Sequence, residues 1–382
     1  MSARVEVSGR LLAWARARSG IEAADLVRRF PSLPDWERGE RSPTFKQLES
    51  FAQATHTPVG FLFLDEPPEE KVPIPDFRTI ADTGVRHPSP ELLDTIFSCQ
   101  ARQEWYREFA LLNGEPSFKY LGSASLRTSV ERAAAEMSTA LRFHVNERGP
   151  SWGETLRILI DRAEDAGILL MVNGVVGNNT HRKLDPEEFR GFVLVDPLAP
   201  VIFINGADTK AAQLFTLVHE LAHLWLGEPG VDDANLTTTP TSQTERWCNA
   251  VAAEVLVPLA AVTDEFDDRQ PLTAELERLA RRYKVSTLVV LRRLYDAQLA
   301  GDWATYRSAY DAELARVLEL LPTAGSGGNF YNTQPLRVSR RFSRAVISST
   351  LEGQTLYNEA FQLLGFKSTA TFHQLAEQLG VA

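Results

Sequence analysis

An α+β fold, rich in helix with a small sheet, is predicted for this chain on three observations. Helical periodicity runs through most of its 382 residues. One helix, between Thr209 and Gly227, is apolar almost all round and yet carries His-Glu-x-x-His. Two short apolar runs, 191–196 and 200–205, come just before it. At this length two or three domains are expected. With 44% hydrophobic and 24% charged residues the composition is that of an ordinary globular protein. The formal net charge of −10 gives no general attraction to nucleic acid or anionic membrane. No apolar stretch reaches transmembrane length, and no secretory signal opens the chain. The two cysteines, Cys99 and Cys248, make no disulfide framework. A cytoplasmic protein with no membrane partner is expected.

Residues 1–64 read as a small all-α module. A basic helix from Gly9 to Ser19 offers Leu11, Leu12 and Trp14 for packing, and a second runs from Glu22 to Phe30. Then come Trp36-Glu37-Arg38-Gly39 and Ser42-Pro43-Thr44-Phe45, followed by a helix with Leu48, Phe51 and Ala52. This pattern resembles the xenobiotic-response-element type of helix-turn-helix. It departs from that type at Phe30-Pro31-Ser32-Leu33-Pro34, where the space for a recognition helix is about a turn short and two prolines interrupt it. The charge is nearly balanced, with nine basic and seven acidic residues. The expectation is a degenerate module for packing or partner binding. DNA is a doubtful partner, with Arg16, Arg18, Arg28 and Arg29 as the candidate contacts.

Residues 65–90 are proline-dense and read as a stiff connector. From about Pro90 to Phe143 helical periodicity returns, with Leu92, Leu93, Ile96, Trp105 and Phe109 on its apolar positions. His144 and His181 are lone histidines in loop contexts and are expected to be structural. A catalytic domain over 91–262, including these preceding helices, is the reading.

The helix with His219, Glu220 and His223 carries the chemistry. Residues four apart share a helix face, so both imidazoles can aim at one point. A catalytic Zn²⁺ site needs three protein ligands and an open position, and an adjacent glutamate can serve as general base. Leu214, Phe215, Leu217, Val218, Leu221 and Trp225 surround the motif. Burying these polar groups there is costly unless something pairs with them. Asp208 and Thr209 offer N-cap chemistry and Gly227 a stop. The third ligand is expected on the next helix, 244–257. Glu245 and Glu254 lie nine positions apart, so they point to opposite faces at about 100° per residue. Glu245 is favoured because Asn249 follows one turn later, where it could orient a histidine from behind. Glu254 then falls to a surface or supporting place. Cys248 is a softer rival that packs more naturally as a small apolar residue.

The stretch from about Asp161 to Pro258 resembles the ImmA/IrrE family of bacterial zinc metallo-endopeptidases. The residues that carry the resemblance are Gly167-Ile168, Gly191-Phe192-Val193-Leu194-Val195-Asp196, Pro200-Val201-Ile202-Phe203-Ile204-Asn205, the His219 motif, and Glu245-x-x-Cys248-Asn249-x-x-Ala252-Ala253-Glu254-x-Leu256-Val257-Pro258. Cys248 stands where that family usually has alanine. The resemblance implies a zincin-like domain, a small sheet packed on the active-site helices. It implies Zn²⁺ on His219, His223 and Glu245, with Glu220 activating water. It also implies a substrate lying along a strand before the active helix, and a repressor- or antitoxin-like protein as that substrate.

Residues 263–322 read as two short helices about a turn at Val285-Ser286, with Arg pairs 281–282 and 292–293, and resemble the helix-turn-helix-like element that follows the peptidase in that family. Residues 323–382 begin with a glycine-rich loop and continue as helices over 338–351 and 355–364. The functional expectation is a zinc-dependent regulatory endopeptidase. The alternative is a DNA-binding regulator or antitoxin that uses the zinc fold for sensing or protein binding. Oligomeric state is not readable.

Overall fold

A computed structural model describes residues 4–70, 74, 88–228, 230–232, 242–319 and 330–381. The expected connector at 65–90 and the glycine-rich loop at 325–329 fall largely outside the described residues. The chain forms two compact units, one holding the N-terminal helices and the other running from Ser98 onward.

In the first unit, helices α1 (Gly9–Arg18), α2 (Ala23–Arg29), α3 (Leu33–Glu37) and α4 (Phe45–Ala54) enclose a core of Leu11, Leu12, Leu26, Phe30, Leu33, Trp36, Leu48, Phe51 and Leu62. The sequence predicts that Pro31 and Pro34 interrupt helix formation. Instead Pro34 sits in the first turn of α3, where a missing N–H costs nothing. Even so α3 is only five residues long, and Leu33 and Trp36 are spent on the core. Thr44 opens α4 with a reciprocal cap to Gln47.

The second unit is built on α5 (Pro90–Asn113, starting in the first unit), α6 (Val130–Ala140), α7 (Trp152–Asp165), the strands β1 (Leu169–Asn173), β2 (Gly191–Leu194) and β3 (Val201–Asn205), and helix α8 (Lys210–Leu226). A second edge strand, β4 (Gly230–Asp232), and helix α9 (Gln243–Leu256) follow. The sheet order is β1-β3-β2-β4. β1 runs parallel to β3, while β2 is antiparallel to both β3 and β4. The strand that immediately precedes the active helix is central and β2 is flanked on both sides, so the edges of the sheet are β1, before the helix, and β4, after it.

Strands β2 and β3 are buried along their length, as expected where α8 packs on them. Gly191 is needed for that approach. A Cβ there would lie 2.6 Å from Thr216 Cγ2 and 2.9 Å from the Phe203 carbonyl oxygen. Trp225 closes the other end of α8, stacked on Tyr120 with ring centroids 5.1 Å apart.

Helices α10 (Leu259–Glu265), α11 (Leu272–Tyr283) and α12 (Thr287–Asp296) then pack on the same core. Their arginine pairs all have acidic neighbours. Arg281 pairs with Glu277, Arg282 with Glu265, Arg292 with Asp296 and Arg293 with Glu254. The chain ends in α13 (Trp303–Glu319), α14 (Phe330–Val338), α15 (Arg340–Leu351), α16 (Tyr357–Leu364) and α17 (Thr369–Leu379). α14 lies against the edge strand β1. α15 starts on Glu164, whose buried carboxylate accepts the Ser339 hydroxyl and the Arg340 backbone N–H. No single described helix is long and apolar enough to cross a membrane. The bent pair α9–α10 passes by length and composition, and it is a packed part of this core.

Candidate metal centre

The local sequence sets α8 as expected. The Thr209 side chain accepts from the Ala212 N–H, and Gly227 ends the helix in the left-handed conformation with φ of 73°. Every residue from Thr216 to Trp225 is buried, including His219, Glu220 and His223 at 0% exposure. Helix α9 starts at a Ser242 cap and packs along α8. This pairing brings the first turn of α9 over the histidine face.

Three side chains converge there. His219 Nε2 and His223 Nε2 are 3.1 Å apart. His219 Nε2 is 3.1 Å from Glu245 Oε2, and His223 Nε2 is 3.2 Å from Glu245 Oε1. The carboxylate thus faces both imidazoles, one oxygen to each. Metal–ligand bonds of about 2.0–2.1 Å in tetrahedral geometry would place ligand atoms about 3.3 Å apart. Two imidazole lone pairs and a carboxylate facing one another in a dry interior repel unless a proton or a cation lies among them. The set therefore fits a divalent ion of borderline softness with two nitrogens and one oxygen. Among the described residues these three are the only such cluster. Burial opposes ionisation of Glu245, but hydrogen bonds from His219 and His223 outweigh it and hold the carboxyl well below the usual carboxylate range.

Glu220 lies one residue from the first ligand, on the side of α8 that meets β2. A Cβ on Gly191 would come within 3.2 Å of its Oε1. The Glu220 carboxylate thus lies between α8 and the start of β2. Gly191 carries no local signal of this in the sequence beyond its place at the head of the run.

The remaining candidates separate clearly. Asn249 is half-buried on α9, but no hydrogen bond joins it to either histidine, and His223 Nδ1 has no partner among the described residues. The orienting role expected of Asn249 is not what its position does. Glu254 is no surface group. It takes a charge-assisted bond from the buried Arg293, which also donates to the Val257 carbonyl at 2.9 Å. The pair fastens the far end of α9 to α12. Cys248 is fully buried in the core, outside the donor cluster. His144 and His181 are exposed and distant in role from the site. Sequence reasoning missed Glu228, which accepts from Thr244 Oγ1 at 3.0 Å while its N–H bonds the His223 carbonyl. It joins the ends of α8 and α9 beside two ligands.

In the first unit the four arginines differ. Arg18 is buried, bonded to both Glu70 oxygens at 2.6 and 2.7 Å and to the His56 carbonyl. It is not a surface contact for DNA. Arg16 pairs with Glu37, Arg28 with Asp25, and Arg29 lies exposed over the Phe30 ring.

This arrangement, a buried His-Glu-x-x-His helix on a small mixed sheet with a glutamate from the next helix, defines a metallopeptidase type of domain. The family described as IrrE N-terminal-like domain matches residues 163–295. The radiation response metalloprotease IrrE of Deinococcus radiodurans is 33% identical over 104 residues, which cover 26% of this chain. The chain spans about a third of the length of that curated relative. Residues 338–378 match a family described as a domain of unknown function (DUF8813). No solved structure matches.

Proposed function

We propose that the protein is a zinc-dependent regulatory endopeptidase that cleaves a repressor- or antitoxin-like protein. The convergence of His219, His223 and Glu245 within 3.2 Å of one another, beside Glu220, carries this reading. An ion held by the three residues would supply Lewis acidity toward water and the scissile carbonyl. Glu220 takes a proton from the attacking water and later delivers it to the leaving amine nitrogen. Its burial favours this work, because proton transfer then occurs without competition from bulk water. Gly191, with no side chain, leaves room for the Glu220 carboxylate beside β2. Glu245, ionised, balances the ion's charge. A purely structural metal site would have no need of Glu220 one residue from a ligand.

The N-terminal unit enters this reading as a packing or partner-binding module. Its five-residue α3 presents Pro34, Asp35 and Glu37 beside the buried Leu33 and Trp36, which suits neither a phosphate nor a base edge. The test is cleavage of a repressor encoded beside this gene, in the presence of the wild-type chain or Glu220→Gln. Cleavage by the first alone, with metal retained by both, supports the proposal. A deletion phenotype fully rescued by Glu220→Gln would assign the function to binding.

A further inference from the structure

Strand β4 takes a place that the proposed reaction needs for its substrate. It runs antiparallel to β2, with Gly230 opposite Val193, Val231 opposite Phe192 and Asp232 opposite Gly191. Gly191 is the residue that borders Glu220, since a Cβ there would come within 3.2 Å of Glu220 Oε1. Opposed residues of an antiparallel pair have Cα atoms about 4.5–5.5 Å apart. The backbone at Asp232 therefore passes one strand spacing from the residue beside the Glu220 carboxylate. β4 also packs on α8, the helix that carries both histidines and Glu220. An extended segment thus already lies along β2 next to Glu220, and it belongs to the protein itself.

The edge of β2 that faces away from β3 is the one an incoming peptide would use. β3 pairs with β2 over Gly191 to Leu194, and β4 takes Gly191 to Val193 on the opposite side. Peptides that dock by strand addition draw on main-chain hydrogen bonds, which any extended segment offers alike. β4 and a substrate strand therefore compete for the same backbone groups. β4 holds them weakly: it has three residues, one of them glycine, a poor strand former. It can also leave without undoing the metal ligands. Before it, the Glu228 N–H bonds the His223 carbonyl at 3.1 Å. The Glu228 carboxylate accepts from Thr244 Oγ1 at 3.0 Å, one residue before Glu245. These bonds close the base of the stretch between α8 and α9, so β4 can unpair while the ends of both ligand helices stay joined.

We propose that β4 is an autoinhibitory strand. In the resting chain it fills the edge of β2 along which an extended substrate segment docks, and the substrate displaces it. This regulation rests on the peptidase reading of the same site.

The test uses the zinc-loaded full chain and a fluorescein-labelled hexapeptide hydroxamate. This probe chelates zinc and docks extended, and its binding, read by fluorescence anisotropy, needs no cleavage. Affinity for a site that is open part of the time falls by the open fraction. Neighbouring residues of a strand point their N–H groups to opposite sides, so in Val231→Pro/Asp232→Pro one proline removes a bond to β2. With β4 paired for about nine-tenths of the time or more, this variant should bind at least about tenfold more tightly than the wild type at equal zinc content. Equal or weaker binding would overturn the proposal, as would loss of zinc from the variant or no binding by either zinc-loaded chain. If the variant does not fold, Val193→Cys/Gly230→Cys decides, because these two positions oppose each other at a spacing a disulfide can bridge. Oxidation should abolish binding of the probe and reduction restore it; binding unchanged by oxidation would overturn the proposal. Failure of the peptidase reading shows separately, as a proline variant that binds the probe more tightly and cleaves no protein.

Discussion

The metal centre and the N-terminal unit both bury polar side chains, with opposite results. In the centre, His219, His223 and Glu245 turn their donor atoms toward one another, the three forming a set that could hold a metal ion. In the N-terminal unit, the buried Arg18 meets two carboxylate oxygens and a carbonyl from its own chain. Convergence of like donors without a complement marks a place for a ligand. A polar group fully answered from within marks scaffold. Arg293 with Glu254 is scaffold by the same rule, although it lies on the same helix as the third ligand.

Five substitutions test that contrast. The largest effect belongs to Glu220→Gln. It should lower the rate of peptide cleavage by about 10²–10⁴-fold while metal stays bound, as expected for a general base; equal cleavage by the variant would remove Glu220 from the chemistry. Next is Glu254→Gln, which removes the closer of the two carboxylates paired with the buried Arg293 and leaves it Asp296 at 3.5 Å. A stability loss of about 3–5 kcal/mol is expected in denaturant unfolding, with metal stoichiometry unchanged in the folded fraction. Loss of metal without loss of stability would instead place Glu254 at the centre. Gly191→Ala drives a methyl group against Thr216 and the Phe203 carbonyl, at an expected cost of about 1–3 kcal/mol. Cleavage should fall with it, because the Glu220 carboxylate shares that contact. The smallest effects compare two arginines. Arg18→Met should destabilise the chain by about 2 kcal/mol through the charged hydrogen bonds it loses. Arg28→Met, in an exposed pair at 3.2 Å, should change stability by under about 0.5 kcal/mol. Equal melting shifts for the two would deny the distinction between answered and exposed charge.

The centre was legible because its geometry is local. Spacing of four fixes His219 against His223, Thr209 and Gly227 set the helix ends, and the nine-residue interval separates the faces of Glu245 and Glu254. The same face argument puts Asn249 beside Glu245, but being neighbours on α9 does not bring it to a histidine on α8. What escaped the sequence is nonlocal. Arg293 and Glu254 are 39 positions apart, and Arg18 and Glu70 are 52 apart. No pattern in either neighbourhood names the partner. β4 has three residues and no alternation to announce it, and a strand that short is defined by its neighbour β2 rather than by itself. The order of the sheet, and with it the loss of a free edge on β2, follows from that pairing. Pro34 misled for a related reason: a proline breaks a helix only when it falls beyond the first turn, and the sequence does not mark where α3 begins.

In the proposed function two imidazoles and one carboxylate hold a single catalytic zinc. X-ray absorption spectroscopy of the purified chain, with metal content measured on the same sample, tests it most directly. The account predicts about one zinc per chain, with nitrogen and oxygen neighbours at about 2.0–2.1 Å and no sulfur. It further predicts that the ion is lost in His219→Ala, His223→Ala and Glu245→Gln, and kept in His144→Ala. A sulfur neighbour at about 2.3 Å would bring Cys248 into the site and contradict the assignment of Glu245. Unchanged zinc in the two histidine variants would contradict the centre itself.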